Sequence, residues 1–248
     1  LIQFLKTGMQ IRNFQFNPGL WPTLATISIL PILLELGFWQ LDRAEQKSAL
    51  HDTYLQRNIE VPVTDFKSGA DVESLLWRKS SLSGQFNPKF TFLLDNQVLN
   101  HRPGYYVFAV FELPNKIQVL VNRGWLAANP DRKIVPKVDY PQNTVNINGL
   151  IKRAPATGIL LAENTEEDLG ENLFRLQQIN VDDLNKKHKL NLMPFIVRLD
   201  KGSVSGYVRE WRQPGSGKEK HLGYAFQWFA MSVALLVIFL SVNLKKNR

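Results

Sequence analysis

His221, Tyr224, Ala225 and Trp228 are spaced i, i+3, i+4 and i+7, so a helix over this stretch would place them on one face. A neutral imidazole there can act as an axial ligand to a haem iron. The neighbouring Tyr and Trp can stack on a flat apolar ring or hydrogen-bond to it. Trp, Tyr and His also populate the belt where a helix leaves a bilayer, and the residues by themselves leave both readings open. A second cluster lies near the other end. Trp39 and Arg43 are four apart, and Gln40 and Lys47 seven apart, so one helical sector can hold all four. Arg43 suits bidentate recognition of a carboxylate, of which a haem propionate is one, and snorkelling toward headgroups is the alternative. Gly37 permits close helix approach. Glu35 lies one turn deeper than Trp39, where an ionisable group is costly and either pairs or stays protonated.

Each cluster sits at the inner edge of an apolar run, Leu20 to Trp39 and Tyr224 to Val242. Runs of about 20 residues span roughly 30 Å of hydrocarbon as helices. If both span, the two clusters meet at one face of the membrane. Lys6 and Arg12 before the first run, and Lys245, Lys246 and Arg248 after the second, favour cytoplasmic tails. The long middle crosses largely regardless of its charge, which makes it periplasmic in a bacterium. The expected layout is a tail over 1–19, a transmembrane helix over 20–39, a β-rich periplasmic domain over 40–220, a second transmembrane helix over 224–242 and a tail over 243–248. Glu35 to Trp39 is a poor cleavage site, so the first run reads as an uncleaved anchor, and Met9 is a candidate start.

Pro31 predicts a kink in the first helix. Leu41–Gln56 lacks Gly and Pro and predicts that the helix continues beyond the membrane. Strand-like runs follow at Ser80–Phe86, Phe90–Leu94, Tyr105–Leu113, Ile117–Val121, Val145–Ile151, Phe174–Ile179 and Phe195–Leu199. Turn signals fall at Asn87-Pro88, Pro103-Gly104, Pro114-Asn115, Asn129-Pro130 and Ala154-Pro155. Asn180 caps a short helix over Val181–Lys189, and Gln213 to Lys218 reads as a flexible linker. The fold class is therefore an α+β membrane protein: two terminal transmembrane helices flank a mostly antiparallel β domain, a small barrel or sandwich with short helices.

Composition excludes several chemistries. There is no cysteine among the 248 residues, so disulfide, CxxC and thiolate-metal chemistry are out. Net charge is +8. Residues 40–220 hold 25 Lys/Arg against 21 Asp/Glu, an ordinary solvated surface that argues against a nucleic-acid partner. Gly215-Ser216-Gly217-Lys218 lacks the first Gly of a phosphate loop, and Glu219 stands where Ser or Thr is needed. His51, His101 and His188 lie far apart and read as surface residues. In Val121-Asn122-Arg123-Gly124-Trp125, Gly124 marks a turn or bulge and Trp125 a core residue, while Arg123 is either a partner contact or half of a structural ion pair. No nucleophile or metal motif supports an enzyme, and a membrane-tethered enzyme is the least favoured class.

Several segments, in order along nearly the whole chain, resemble the surfeit locus protein 1 family, the Shy-type cytochrome c oxidase assembly factors. They are Gly37-Phe38-Trp39-Gln40-Leu41-Asp42-Arg43 followed by Lys47; Leu94-Asp95-Asn96; Gly104-Tyr105-Tyr106; Val121 to Trp125; and His221-Leu222-Gly223-Tyr224-Ala225 through Trp228. Gln227 departs from the Thr common in that family. The resemblance implies a non-enzymatic chaperone of the bacterial inner membrane that helps insert haem a into the oxidase catalytic subunit. It implies His221 as the ligand to the haem iron, with Tyr224, Trp228, Trp39, Gln40 and Arg43 around the cofactor. The catalytic subunit, the lipid bilayer and the haem a synthesis machinery are the implied partners. A scaffold that stabilises an oxidase intermediate without holding haem is the alternative.

Overall fold

The computed structural model describes residues 9–11, 14–67, 69–155 and 166–246. The expectations resting on Lys6, Arg12 and Arg248 fall outside these residues. The chain forms two compact units, residues 1–52 with 213–248, and residues 53–212.

The first unit is built on two long helices. Helix α1 runs Leu20–Asn58 and passes through Pro31 without ending, and its extension past residue 41 is as expected. Of the other two helices α2 and α3, more below; the second long helix, α4, is Lys218–Asn243. Both long helices are long and apolar enough to cross a membrane. They run antiparallel. The Asn243 side-chain oxygen accepts from the Gly19 amide at 2.8 Å at one end, and Lys218 Nζ donates to Ser48 Oγ at 3.1 Å near the other. Gly37, Gln40 and Ala44 of α1 and Ala225 and Ser232 of α4 form the buried seam. Gly37 is required there, because a Cβ would lie 2.6 Å from the Phe229 ring. The outward faces are Trp, Leu, Ile, Phe and Val, which suits a lipid solvent. A feature not anticipated is a small antiparallel sheet of strands β1 (Met9–Ile11), β2 (Phe14–Phe16) and β10 (Leu244–Lys246). The linker also differs from expectation. Pro214 and Gly215 are buried, the Pro214 carbonyl lies 3.1 Å from His51 Nδ1, and Gly215 (φ +71°) has no room for a Cβ beside the Lys47 carbonyl.

The second unit is a mixed, mostly antiparallel sheet. Its strands are β3 (Lys79–Leu99), β4 (Arg102–Glu112), β5 (Gln118–Ala127), β6 (Val145–Lys152), β7 (Glu167–Asp168), β8 (Leu173–Leu176) and β9 (Leu192–Leu199). The order β4-β5-β9-β6-β3 closes through β3–β4 into a five-stranded barrel, which removes the open edges; β8 and β7 extend from β3. The β5–β9 and β3–β8 pairings are parallel. All five barrel strands contribute to the interior, among them Leu82, Phe111, Val121, Ile151 and Val197. The opposite face, with Phe92, Phe108, Leu120 and Ile196, lies under helix α3 (Val181–His188). Asn180 caps α3 as expected, accepting from the Asp182 amide at 3.0 Å. Helix α2 is a single turn, Val72–Leu75.

Two turn expectations fail for physical reasons. Asn87-Pro88 does not end a strand; it is an irregularity inside β3, where pairing to β4 slips between Asn87 and Thr91 and the missing proline donor is tolerated. Pro103-Gly104 lies within β4. The hairpin turn is made instead by Asn100 (φ 49°) and His101 (φ 61°), both left-handed, which matches the twist of the flanking strands.

Candidate functional site

In the first unit the two sequence clusters meet at one contact. His221 Nδ1 lies 2.8 Å from Gln40 Oε1. Gln40 is buried in the helix seam, and Ala44 and Ala225 beside it are small enough to bring the backbones together. An amide oxygen only accepts, so the imidazole donates from Nδ1 and its Nε2 lone pair remains. That is the arrangement by which a second residue fixes the tautomer and ring direction of a metal-binding histidine.

The other expected residues are placed less centrally. Trp228 is half-buried on the seam side, whereas Tyr224 and Trp39 are exposed on the flanks. Arg43 turns along its own helix. Its Nη1 donates to Gln46 Oε1 at 2.9 Å, its guanidinium lies 5.7 Å from the Trp39 ring, and Gln46 in turn donates to Asp42 at 2.8 Å. Glu35 is exposed on α1 and makes no ion pair among the described residues. Gln40 and His221, drawn from different helices, are thus the pair the fold joins directly.

The second unit uses the central motifs for construction. At the β5 bulge, Asn122 pairs with Phe108 and Gly124 with Val107, leaving Arg123 as the extra residue. Gly124 takes φ +114°, and a Cβ there would strike the Val208 carbonyl. The bulge sends Arg123 inward, where it is 2% exposed. Its guanidinium lies within 5.2 Å of the Phe86, Tyr140 and Tyr207 ring centres. Its Nε donates to the Ser205 carbonyl at 2.6 Å and its Nη2 to the Asp139 carbonyl at 2.7 Å. Among the described residues Arg123 has no carboxylate ion pair, so that expectation is corrected, and its burial leaves little guanidinium surface for a partner. Trp125 is buried, as expected, and its ring occupies the space a Cβ on Gly104 would need. Asp95 pairs with Arg132 and accepts from the Asn96 amide.

Two histidines also depart from the surface reading. His188 packs among Phe90, Phe92 and Phe174 and meets Glu166 Oε2 at 3.0 Å, and His51 is half-buried against Pro214. Burial among aromatics carries no local sequence signal, because Phe92 and His188 are brought together only by the sheet. Among the described residues no group of three or more His, Asp or Glu side chains could hold a metal ion.

The family profile described as "SURF1 family" matches residues 27–233. The chain belongs to the SURF1 family. The family is one of oxidase assembly factors, not of classical enzymes. Similar proteins include the SURF1-like protein of Rickettsia prowazekii, 29% identical over 222 residues, 87% of each chain. The SURF1-like protein of Rickettsia conorii is 27% identical over 214 residues, 84% of this chain and 85% of the relative. That of Dictyostelium discoideum is 22% identical over 255 residues, 85% of this chain and 92% of the relative. The SURF1 profile covers α1 from residue 27 and α4 up to residue 233, and so includes Gln40 and His221.

Proposed function

We propose that this SURF1-family chain is a bacterial inner-membrane assembly factor for haem–copper oxidase, and that it assists haem a insertion into the catalytic subunit. Both long helices span, the basic tails lie in the cytoplasm, and the β unit is periplasmic. The observation that carries the haem reading is the His221–Gln40 hydrogen bond of 2.8 Å. It leaves one imidazole nitrogen for iron and fixes the ring from a buried amide. The residues present fit the group: a nitrogen donor in an apolar seam, Trp228, Tyr224 and Trp39 as ring surfaces, and Arg43 within reach of rotation as a carboxylate partner. When bound, haem would supply an iron centre, and His221 would be the residue that holds it.

The division of labour follows from chemistry. Gln40 holds the tautomer. His221 would hold the iron through its Nε2. Arg43, which now donates to Gln46, would donate to a propionate carboxylate instead, exchanging a neutral acceptor for a charged one. The exposure of Tyr224 and Trp39 lets a flat ligand enter and leave from the side, as transfer to another protein requires.

The test is complementation. A strain lacking this chain is expected to lose the a-type optical band of its oxidase, and the full chain should restore it. His221→Ala should restore the amount of catalytic subunit in the membrane but not its haem a. If His221→Ala restores full haem content, the chain acts as a scaffold that stabilises the oxidase intermediate without holding haem.

A further inference from the structure

A recess of about 420 Å³ lies on the second unit, lined by residues that include Tyr106, Asn122, Lys152, Ile196 and Arg198. The sheet register builds it. Lys152 of β6 pairs with Ile196 of β9, and Leu150 pairs with Arg198, so Lys152 and Arg198 are diagonal neighbours on one face. Both side chains are half-buried, and neither has an ion pair among the described residues. Each instead lies 5.1 Å from a tryptophan ring, Lys152 at Trp77 and Arg198 at Trp211. Arg198 Nε is buried with no hydrogen-bond partner, and Nη1 reaches only the Arg212 carbonyl at 3.4 Å. Arg212 adds a third cation at the rim. Arg153 is already paired with Glu73, and the acid in the lining is the exposed Glu210. Tyr54, Asp200 and Tyr106 attract Arg198, and Asp200, just past the end of β9, forms no ion pair with it among the described residues.

Two partly desolvated cations side by side repel each other, and each loses hydration. Burial and the neighbouring Arg198 push the Lys152 ammonium down to about 8. An uncompensated cluster of this kind in a recess marks a place for an anion. The surplus of cations over acids suits a dianion better than a carboxylate. Arg supplies a planar fork and Lys a point charge, the combination used on phosphoryl oxygens. The Tyr106 and Trp211 rings, with centres 5.6 Å apart, form an apolar wall beside the charges.

We propose that this recess binds a phosphate ester. Lys152 and Arg198 hold the phosphoryl oxygens, Arg212 adds charge at the rim, and Tyr106 and Trp211 flank the organic part of the ester. The ester is either a lipid headgroup or a soluble metabolite, and the test separates them.

The full chain is placed in phosphatidylcholine nanodiscs with its lysines dimethylated using a ¹³C label. The Lys152 signal, assigned by its loss in Lys152→Gln, is followed through a pH titration with and without glycerol 3-phosphate. A soluble-ester site raises the Lys152 midpoint by about one pH unit or more when the ester is added. A headgroup site gives that rise only when phosphatidic acid, a phosphomonoester like glycerol 3-phosphate, replaces part of the phosphatidylcholine. In either case Arg198→Gln should weaken the effect on the order of tenfold, as loss of a charge-assisted bond does. A Lys152 midpoint that moves under neither condition overturns the proposal, as does a rise that Arg198→Gln leaves unchanged. The rise or its absence is read in the parent protein, so it tests the proposal even where Arg198→Gln does not fold, and Lys152→Gln serves only to assign the signal.

Discussion

Arg123 shows how much a single side chain does in this fold. It fills the middle of the barrel end with a charge that has no carboxylate, held by two backbone carbonyls and three ring faces. Lysine has the charge but not the fork, so it cannot reach both carbonyls. Arg123→Lys should therefore cost about 1.5–3 kcal/mol, from the loss of one charge-assisted bond. Chemical unfolding followed by far-ultraviolet circular dichroism checks this, and an unchanged midpoint would refute the keystone role. Lys152 makes a prediction of the opposite sign. Its folded pKa of about 8 lies below the ordinary value of 10.5, so between these pH values the unfolded chain binds more protons. Stability should rise as pH goes from about 8 toward 10, and fall back as pH drops through 8. Above 10 the buried Tyr106, Tyr140 and Tyr207, whose pKa values burial raises, oppose the trend. Thermal melting of Lys152→Met should lack the rise between pH 8 and 10 that the parent shows.

At the scale of elements, the β3–β4 hairpin turn carries strain that can be removed. Asn100 and His101 both adopt left-handed backbone, and His101 has a Cβ that disfavours it. His101→Gly should stabilise the protein by about 1 kcal/mol, visible as a raised melting temperature. A lowered melting temperature would mean that the His101 side chain contributes more than its backbone costs. The same turn shows what the sequence could and could not reveal. Pro103-Gly104 looked like the punctuation, yet these residues extend β4, because the barrel pairs them with β3 and β5. The two helices, the capping Asn180, the Gly124 bulge and most strands were legible, since local periodicity and turn chemistry decide them. Barrel closure was not, because it depends on β3 pairing with both β4 and β6 far along the chain. Of the site, the His221 and Gln40 clusters were legible as two faces. Their hydrogen bond was not, nor was the outward placement of Tyr224 and Trp39, because helix rotation is set by Gly37 meeting Phe229 and by Ala44 and Ala225. The Lys152–Arg198 recess had no sequence signal at all, being a product of β6–β9 register.

For the whole molecule, function depends on which side of the membrane each unit occupies. The proposed topology, argued from the basic tails and the two apolar runs of the sequence, has cytoplasmic termini and a periplasmic β unit. In a bacterial host, alkaline phosphatase fused after Gly202 should be active and the same enzyme fused after Arg248 silent. The opposite pattern would put the His221–Gln40 contact on the cytoplasmic side and remove the topological basis of the assembly reading. The claim at the centre is that the antiparallel helix pair holds an imidazole ready for iron. Its most direct measurement is the optical spectrum of the full chain, purified from cells that make haem a, as parent and as His221→Ala. The account predicts a histidine-ligated haem band in the parent and its loss in His221→Ala, at equal protein level and membrane insertion. A His221→Ala protein with the parent's haem spectrum would contradict it.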